Sequence, residues 1–247
     1  MMLITLAGVE GLCVGSFLNV CICRLPERRS IAWPRSSCPR CGRRLAPRDL
    51  VPVLSYLWLG GRCRYCREPI SIQYPIVELA TGLLFAAVVA VYGINLVSLK
   101  YLVFISLLII ITGTDINTHL IPNAVTYPGM AIGLILSLFI PGVSFLRSVI
   151  GLLVCGGVVY LLALASRGGM GGGDIKLMGM MGAFLGWDAG LLALFIGALM
   201  GSVVGIVRIA WGKQKRRDPM PFGPFLAVGG LISAFFAPSI LSFIFLQ

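Results

Sequence analysis

The chain has 247 residues, 58% of them hydrophobic and only 12% charged, with a formal net charge of +11. A mean hydropathy of +0.96 excludes an ordinary soluble domain, because apolar residues at that density form bilayer-crossing runs of about 20 residues. The charge does not mark a nucleic-acid partner: 18 of the 20 Lys and Arg residues fall on one alternate set of connections between apolar runs, the pattern of a basic surface facing anionic lipid.

Leu3–Cys23 is the first apolar run. Its positive charges follow it instead of preceding it, and no small-residue cleavage site is evident. It therefore reads as a retained span with its start outside the cytoplasm, not as a secretory signal. Residues 24–73 form the one long polar segment and carry 11 of the basic residues. A segment of about 50 residues buries little core and needs a staple. Cys38-Pro-Arg-Cys41 and Cys63-Arg-Tyr-Cys66, with 21 residues between them, supply one. That spacing resembles a four-thiolate zinc ribbon, each turn presenting two sulfurs to a tetrahedral ion. Disulfides would need an oxidising compartment, whereas the charge pattern places this loop in the reducing cytoplasm. A redox CxxC would need a thioredoxin-like context, and none is evident. Four thiolates leave no open position for water, so the expected zinc is structural. Cys13, Cys21, Cys23 and Cys155 lie in apolar runs and read as packing residues.

Seven more apolar runs follow: Pro75–Tyr92, Val97–Thr114, Ile121–Ile140, Phe145–Ala165, Ile175–Trp187, Ala189–Trp211 and Pro224–Leu246. The sixth of the eight has only 13 residues, roughly 20 Å of helix, and it tilts little, thins the bilayer or starts below the surface. With Arg24–Arg67 cytoplasmic and the spans alternating, the basic residues of Arg208–Arg217, Arg167 and Lys176 fall on the same side, and only Lys100 and Arg147 on the other. Both termini are then expected outside the cytoplasm. No internal repeat is visible. The expected fold is an all-α polytopic membrane protein of about eight transmembrane helices, with a small four-cysteine, zinc-ribbon-like domain between the first two.

Only nine residues are acidic, and an acid at a membrane boundary is costly unless it is used. Asp115 ends the third apolar run, before Leu120-Ile-Pro-Asn123, where Pro122 suits a helix start. Asp174 opens the sixth, within Gly168-Gly-Met-Gly-Gly-Gly-Asp-Ile-Lys176. The two are 59 positions apart, yet the alternation of spans brings both to the cytoplasmic face. Each could be a simple helix cap; together they could share a proton and activate water, as aspartic proteases do. A helix C-terminal end at Asp115 and an N-terminal end at Asp174 would make Asp174 the resting base and Asp115 the acid. The glycines permit close approach of another backbone, by a substrate or by a neighbouring helix. They are not a phosphate loop, since the Gly-Lys-Ser/Thr ending is missing.

Gly171-Gly-Gly-Asp174 matches the GxGD signature of membrane aspartyl proteases. Four further stretches narrow the resemblance: Gly15-Ser-Phe-Leu-Asn-Val20 with Arg24-Leu-Pro26, Tyr74-Pro-Ile-Val-Glu-Leu79, Asp115 through Ile121-Pro-Asn123, and Pro221-Phe-Gly-Pro-Phe-Leu-Ala227. From first span to last, the chain resembles the bacterial prepilin peptidases, also called type IV leader peptidases. The resemblance implies a multi-pass protein of the bacterial inner membrane with its catalytic and zinc regions facing the cytoplasm. It implies cleavage of type IV prepilins and type II secretion pseudopilins after a glycine, with Asp115 and Asp174 catalytic. It also implies methylation of the new amino terminus with S-adenosylmethionine, because the cysteine-bearing loop resembles that of the bifunctional bacterial members. On this basis 1–23 is a first transmembrane helix, 24–73 a zinc-binding, methyltransferase-associated domain, and 74–247 the aspartyl peptidase domain. Asn123 stands where some relatives carry Asp and is expected to have no catalytic consequence.

Gly171 and Gly173 are expected to position substrate. Glu78, an acid inside an apolar run, binds the leader, assists methyl transfer or makes a structural hydrogen bond. Lys176 faces a substrate carboxylate or snorkels to the interface. Glu10 is assigned no role, His119 reads as a solvated loop residue, and Lys213–Arg217 as a topology anchor. A methyl-donor pocket of non-Rossmann type is expected around the zinc loop and Asn19, Arg24 and Pro26. The competing classes are a cleavage-only GxGD protease, a transporter using the two acids as ion or proton sites, and a zinc-organised scaffold without chemistry. A transporter would place its acids along a midplane path, whereas both aspartates here fall at one face.

Overall fold

A computed structural model describes residues 1–140, 144–166, 170–211 and 220–245. Its regular elements are all helices, with no β-strand among the described residues. The chain divides into two compact units, residues 1–110 and 111–247.

In the first unit, α1 (Met2–Arg24) packs along α3 (Gln73–Tyr92). The contact is made by small residues: a Cβ on Gly11 would lie 2.8 Å from the Gly82 Cα, and one on Gly15 2.7 Å from the Glu78 Cα. Backbones this close gain dispersion contact that lipid cannot supply. Between these helices lie the polar loop, a single 3₁₀ turn at Pro47–Leu50 and the short α2 (Leu54–Trp58).

α4 (Leu96–Thr118) carries the chain from one unit into the other. The second unit continues with α5 (Asn123–Phe139), α6 (Phe145–Ala165), α7 (Gly172–Leu185), α8 (Trp187–Ala210) and α9 (Gly223–Phe245). Its centre is α7. Leu177–Leu185 are all buried, and α5, α6, α8 and α9 all pack on this helix. Gly151 of α6 and Gly182 of α7 leave no space for a Cβ between their backbones.

Among the described residues, six helices (α1, α3, α4, α6, α8 and α9) have the length and apolar composition to cross a membrane. Large apolar side chains such as Leu153, Leu161, Phe195, Leu199 and Ile206 stand exposed on their outer faces, as a lipid solvent requires. The chain is a multi-pass membrane protein. All eight expected apolar runs are helices, but α5 has 17 residues and α7 only 14, so the count of eight spans is approximate. The short sixth run is the enclosed core of its unit. It ends at Gly186, whose φ of 85° turns the chain, and Trp187 begins α8 instead of closing α7.

Candidate active site and metal centre

Asp115 lies one turn inside α4, not just beyond its end. The helix runs on to Thr118, the Thr118 hydroxyl donating to the Thr114 carbonyl at 2.8 Å and the His119 amide to that of Asp115 at 2.9 Å. His119, at φ 53°, then turns the chain out, a left-handed helix stop. The Asp115 side chain is buried at 5% exposure, and its Oδ2 accepts the Gly223 amide at 2.9 Å. Gly223 is the first residue of α9. A Cβ there would sit 2.7 Å from the same oxygen, so only glycine brings its N–H this close.

Asp174 occupies the third position of α7 and is 8% exposed. Its Oδ2 reaches back to accept the Gly171 amide at 3.2 Å, satisfying a donor that the first turn of a helix leaves unpaired. The two carboxyl groups lie within electrostatic range of one another. The expectation that helix ends would separate their roles is not met at Asp115. Although it stands in the last turn of α4, it receives an amide from the start of α9, so each acid meets the positive end of a helix.

Ile121, Asn123 and Tyr127 join this site to α5. A Cβ on Gly173 would lie 2.9 Å from the Ile121 Cβ, so the close approach at Gly173 is made by the chain's own isoleucine. Gly171 and Gly172 are exposed, and nothing stands within 4 Å of a Cβ on Gly172. Lys176 Nζ donates to the Asn123 Oδ1 at 2.8 Å and stands 5.4 Å from the centre of the Tyr127 ring. Asn123 therefore has an occupation that its position in the motif did not reveal. Gly223 was missed as a site residue, and the signal available was its place in the Pro-Phe-Gly-Pro stretch. Arg167, Gly168, Gly169 and the Lys213–Arg217 stretch lie outside the described residues.

Glu78 belongs to the first unit. Its Oε2 accepts the Val53 amide at 2.7 Å, and the carboxylate also bonds the Ser16 side chain. Val53 has a φ of 61°, a rare conformation for a β-branched residue that costs about 1–3 kcal/mol. The structural hydrogen bond is thus the one the geometry displays: Glu78 clasps the loop to α1 and α3. Asn19 donates to the Tyr74 carbonyl at 3.0 Å. Arg24 donates to the Ser30 and Pro34 carbonyls at 2.9 and 2.8 Å. Beside Arg24 opens a cavity of about 500 Å³, bounded by Phe17 and Val20 of α1 and by loop residues that include Arg35, Leu45 and Leu50. Among the described residues, no acidic side chain lines it.

The four expected metal ligands converge. The sulfurs of Cys38, Cys41, Cys63 and Cys66 all lie within 4.8 Å of one another, and those of Cys38 and Cys66 are 3.8 Å apart. A sulfur pair on a tetrahedral zinc with bonds of about 2.3 Å would be separated by about 3.8 Å, whereas a disulfide requires about 2.05 Å. Two matching turns build the cluster. In one, the Cys38 amide donates to the Arg43 carbonyl and Ser37 bridges Arg44; in the other, Cys63 donates to Glu68 and Arg62 bridges Pro69. Gly42 (φ 69°) and Arg67 (φ 62°) occupy the same left-handed position, each just after the second cysteine. Amides of Cys66 and Tyr65 donate to the Cys63 sulfur and draw its pKa down to about 7, favouring the thiolate that a metal binds. The cluster can hold a metal ion.

Residues 9–92 match the bacterial peptidase A24 N-terminal domain, and residues 102–206 match the type IV leader peptidase family. The prepilin leader peptidase/N-methyltransferase of Bacillus subtilis strain 168 is 39% identical over 246 residues, covering 98% of this chain and 97% of that protein. The proteins of that name from Burkholderia pseudomallei strain 1026b and Pseudomonas putida are 37% and 35% identical, covering 95% and 96% of this chain and 86% and 92% of theirs. No solved structure matches the chain. With such identity sustained over nearly the full length of both partners, this protein belongs to the type IV leader peptidase family.

Proposed function

We propose that this protein is a bifunctional prepilin peptidase and N-methyltransferase of the bacterial inner membrane. It removes the leader of type IV prepilins or type II secretion pseudopilins after a glycine at the cytoplasmic face, then methylates the exposed amino terminus. The observation that carries the peptidase half is the pair of buried carboxyls, Asp115 and Asp174, brought within electrostatic range from two helices and each given a backbone amide. Two carboxyls that close around one water share one proton. The ionised member takes a proton from water, which attacks the scissile carbonyl. The protonated member donates to that carbonyl and then to the departing amine. Because both acids meet a helix start, the proton belongs to the pair and not to one assigned residue. Exposed Gly171 and Gly172 leave space for an extended substrate backbone, with Gly173 and Lys176 fixing α5 against α7 beside it. Glu78 acts by holding the loop that carries the zinc.

Zinc bound by Cys38, Cys41, Cys63 and Cys66 organises residues 24–73, the part we assign to methyl transfer. Residues 1–23 form the first span and 74–247 the peptidase part. S-adenosylmethionine supplies the methyl group when bound. The cavity beside Arg24 offers two arginines that could pair only with the cofactor's carboxylate, and no carboxylate on its lining to meet the sulfonium and the ammonium. No residue of this chain is therefore assigned to it.

The test is a purified-enzyme assay on a prepilin with a Gly-Phe junction and a labelled methyl donor, followed by mass analysis of the product's amino terminus. Cleavage with methylation is expected. Asp115→Asn and Asp174→Asn should each lose cleavage by about a hundredfold or more, with helical content unchanged. Full cleavage by either variant would refute the dyad, and cleavage without methylation would leave a peptidase only.

A further inference from the structure

We propose that the cavity between the end of α1 and the polar loop is a binding site for one anionic phospholipid, its phosphate at Arg24 and Arg35 and an acyl chain along Phe17 and Val20. The inference stands apart from the peptidase reading. Phe17, Val20 and Arg24 fall at i, i+3 and i+7, on one face of a membrane-spanning helix. Arg24 is the last residue of that helix, so Val20 and Phe17 lie about 6 and 10 Å deeper along its axis. The cavity is thus apolar on its membrane side and cationic at its rim.

Loop residues form the opposite wall, among them Leu45 and Leu50. Phe17 and Leu50 remain 50% and 40% exposed, apolar surface that an acyl chain would cover. Arg24 is preorganised by the two carbonyls it already serves and keeps further N–H donors for a phosphate, the geometry for which guanidinium is suited. Arg35 is exposed at the mouth. With no carboxylate on the lining, a zwitterionic lipid would bring its own cation against two guanidinium groups. A small soluble anion would leave the apolar wall in water. Basic pockets beside transmembrane helices select anionic headgroups by this balance.

Native mass spectrometry of the full-length protein in detergent, with phosphatidylglycerol or phosphatidylcholine of identical chains added, tests the site. Phosphatidylglycerol should be retained about fivefold more than phosphatidylcholine. Glycerol 3-phosphate, which has the head but no chain, should not displace it. Arg35→Gln should abolish the preference and Arg35→Lys should keep most of it, while Ala32→Phe, which fills the cavity without changing charge, should reduce retention of both lipids. Zinc retained in the same spectra reports that the loop is folded. Equal retention of the two lipids by the wild-type protein overturns the proposal. Displacement by glycerol 3-phosphate would identify a soluble-phosphate site instead, and displacement by S-adenosylhomocysteine a cofactor pocket; either result also overturns it.

Discussion

Asp115 and Asp174 are held by the same device, a backbone amide offered by a glycine at a helix start, but the two glycines are not equivalent. Gly171 could carry a Cβ at ordinary contact distance, 3.5 Å from the Asp174 Oδ2, whereas a Cβ on Gly223 would stand 2.7 Å from the Asp115 Oδ2. Gly223→Ala must push the carboxyl aside or withdraw the amide. Displacements approaching 1 Å at a reacting group cost on the order of a hundredfold in rate, so this variant should cleave prepilin about 10- to 100-fold more slowly while folding normally. Gly157→Ala of α6, whose Cβ would meet nothing within 4 Å and which has no place in the site, should cleave at the wild-type rate. Steady-state cleavage of the two variants side by side checks both expectations. The acids were legible in the sequence because charge is so rare in this chain. Gly223 was not, because the contact that explains it joins residues 108 positions apart.

At the scale of elements, the metal turns offer a clean comparison, since one uses glycine and the other arginine at the same left-handed position. A side chain in that conformation costs about 1 kcal/mol or somewhat more. Arg67→Gly should therefore tighten zinc binding by about fivefold, and Gly42→Ala should weaken it by a similar factor, because the conformation must be held whenever the metal is bound. Competition against a chromogenic chelator measures both. The CxxC spacing foretold this cluster, since ligand geometry is local to each turn. The long helices were equally legible from apolar runs, with ends displaced by up to four residues where a cap decides: Thr118 extends α4, and Gly186 hands Trp187 to α8. What composition did not convey is that α7 is enclosed by four other helices. An apolar run reads alike whether it faces lipid or protein, and only its 14-residue length hinted at the difference.

Over the whole molecule, the candidate chemistries segregate by unit. Both aspartates and their amide donors fall within residues 111–247, while the four cysteines, the Glu78 clasp and the Arg24 cavity fall within residues 1–110. The polar loop has little apolar core of its own, and Leu54, Leu57 and Trp58 of its short helix are exposed. A metal held by the four cysteines would supply on the order of 10 kcal/mol, as in small thiolate sites, and so most of the loop's order, beside the hydrogen bond between Glu78 and Val53. Stripping zinc, or replacing Cys38 and Cys63 by Ser, should consequently disorder residues 24–73 and abolish methyl transfer. Cleavage should persist, because no ligand of the metal contributes to the acid pair. The measurement is one reaction with two readouts, leader release by gel shift and methyl incorporation by mass, on the same metal-depleted sample before and after zinc is returned. Recovery of methylation on zinc addition, with cleavage unchanged throughout, is the expected result. Parallel loss of both activities would mean that the loop also supports the peptidase site.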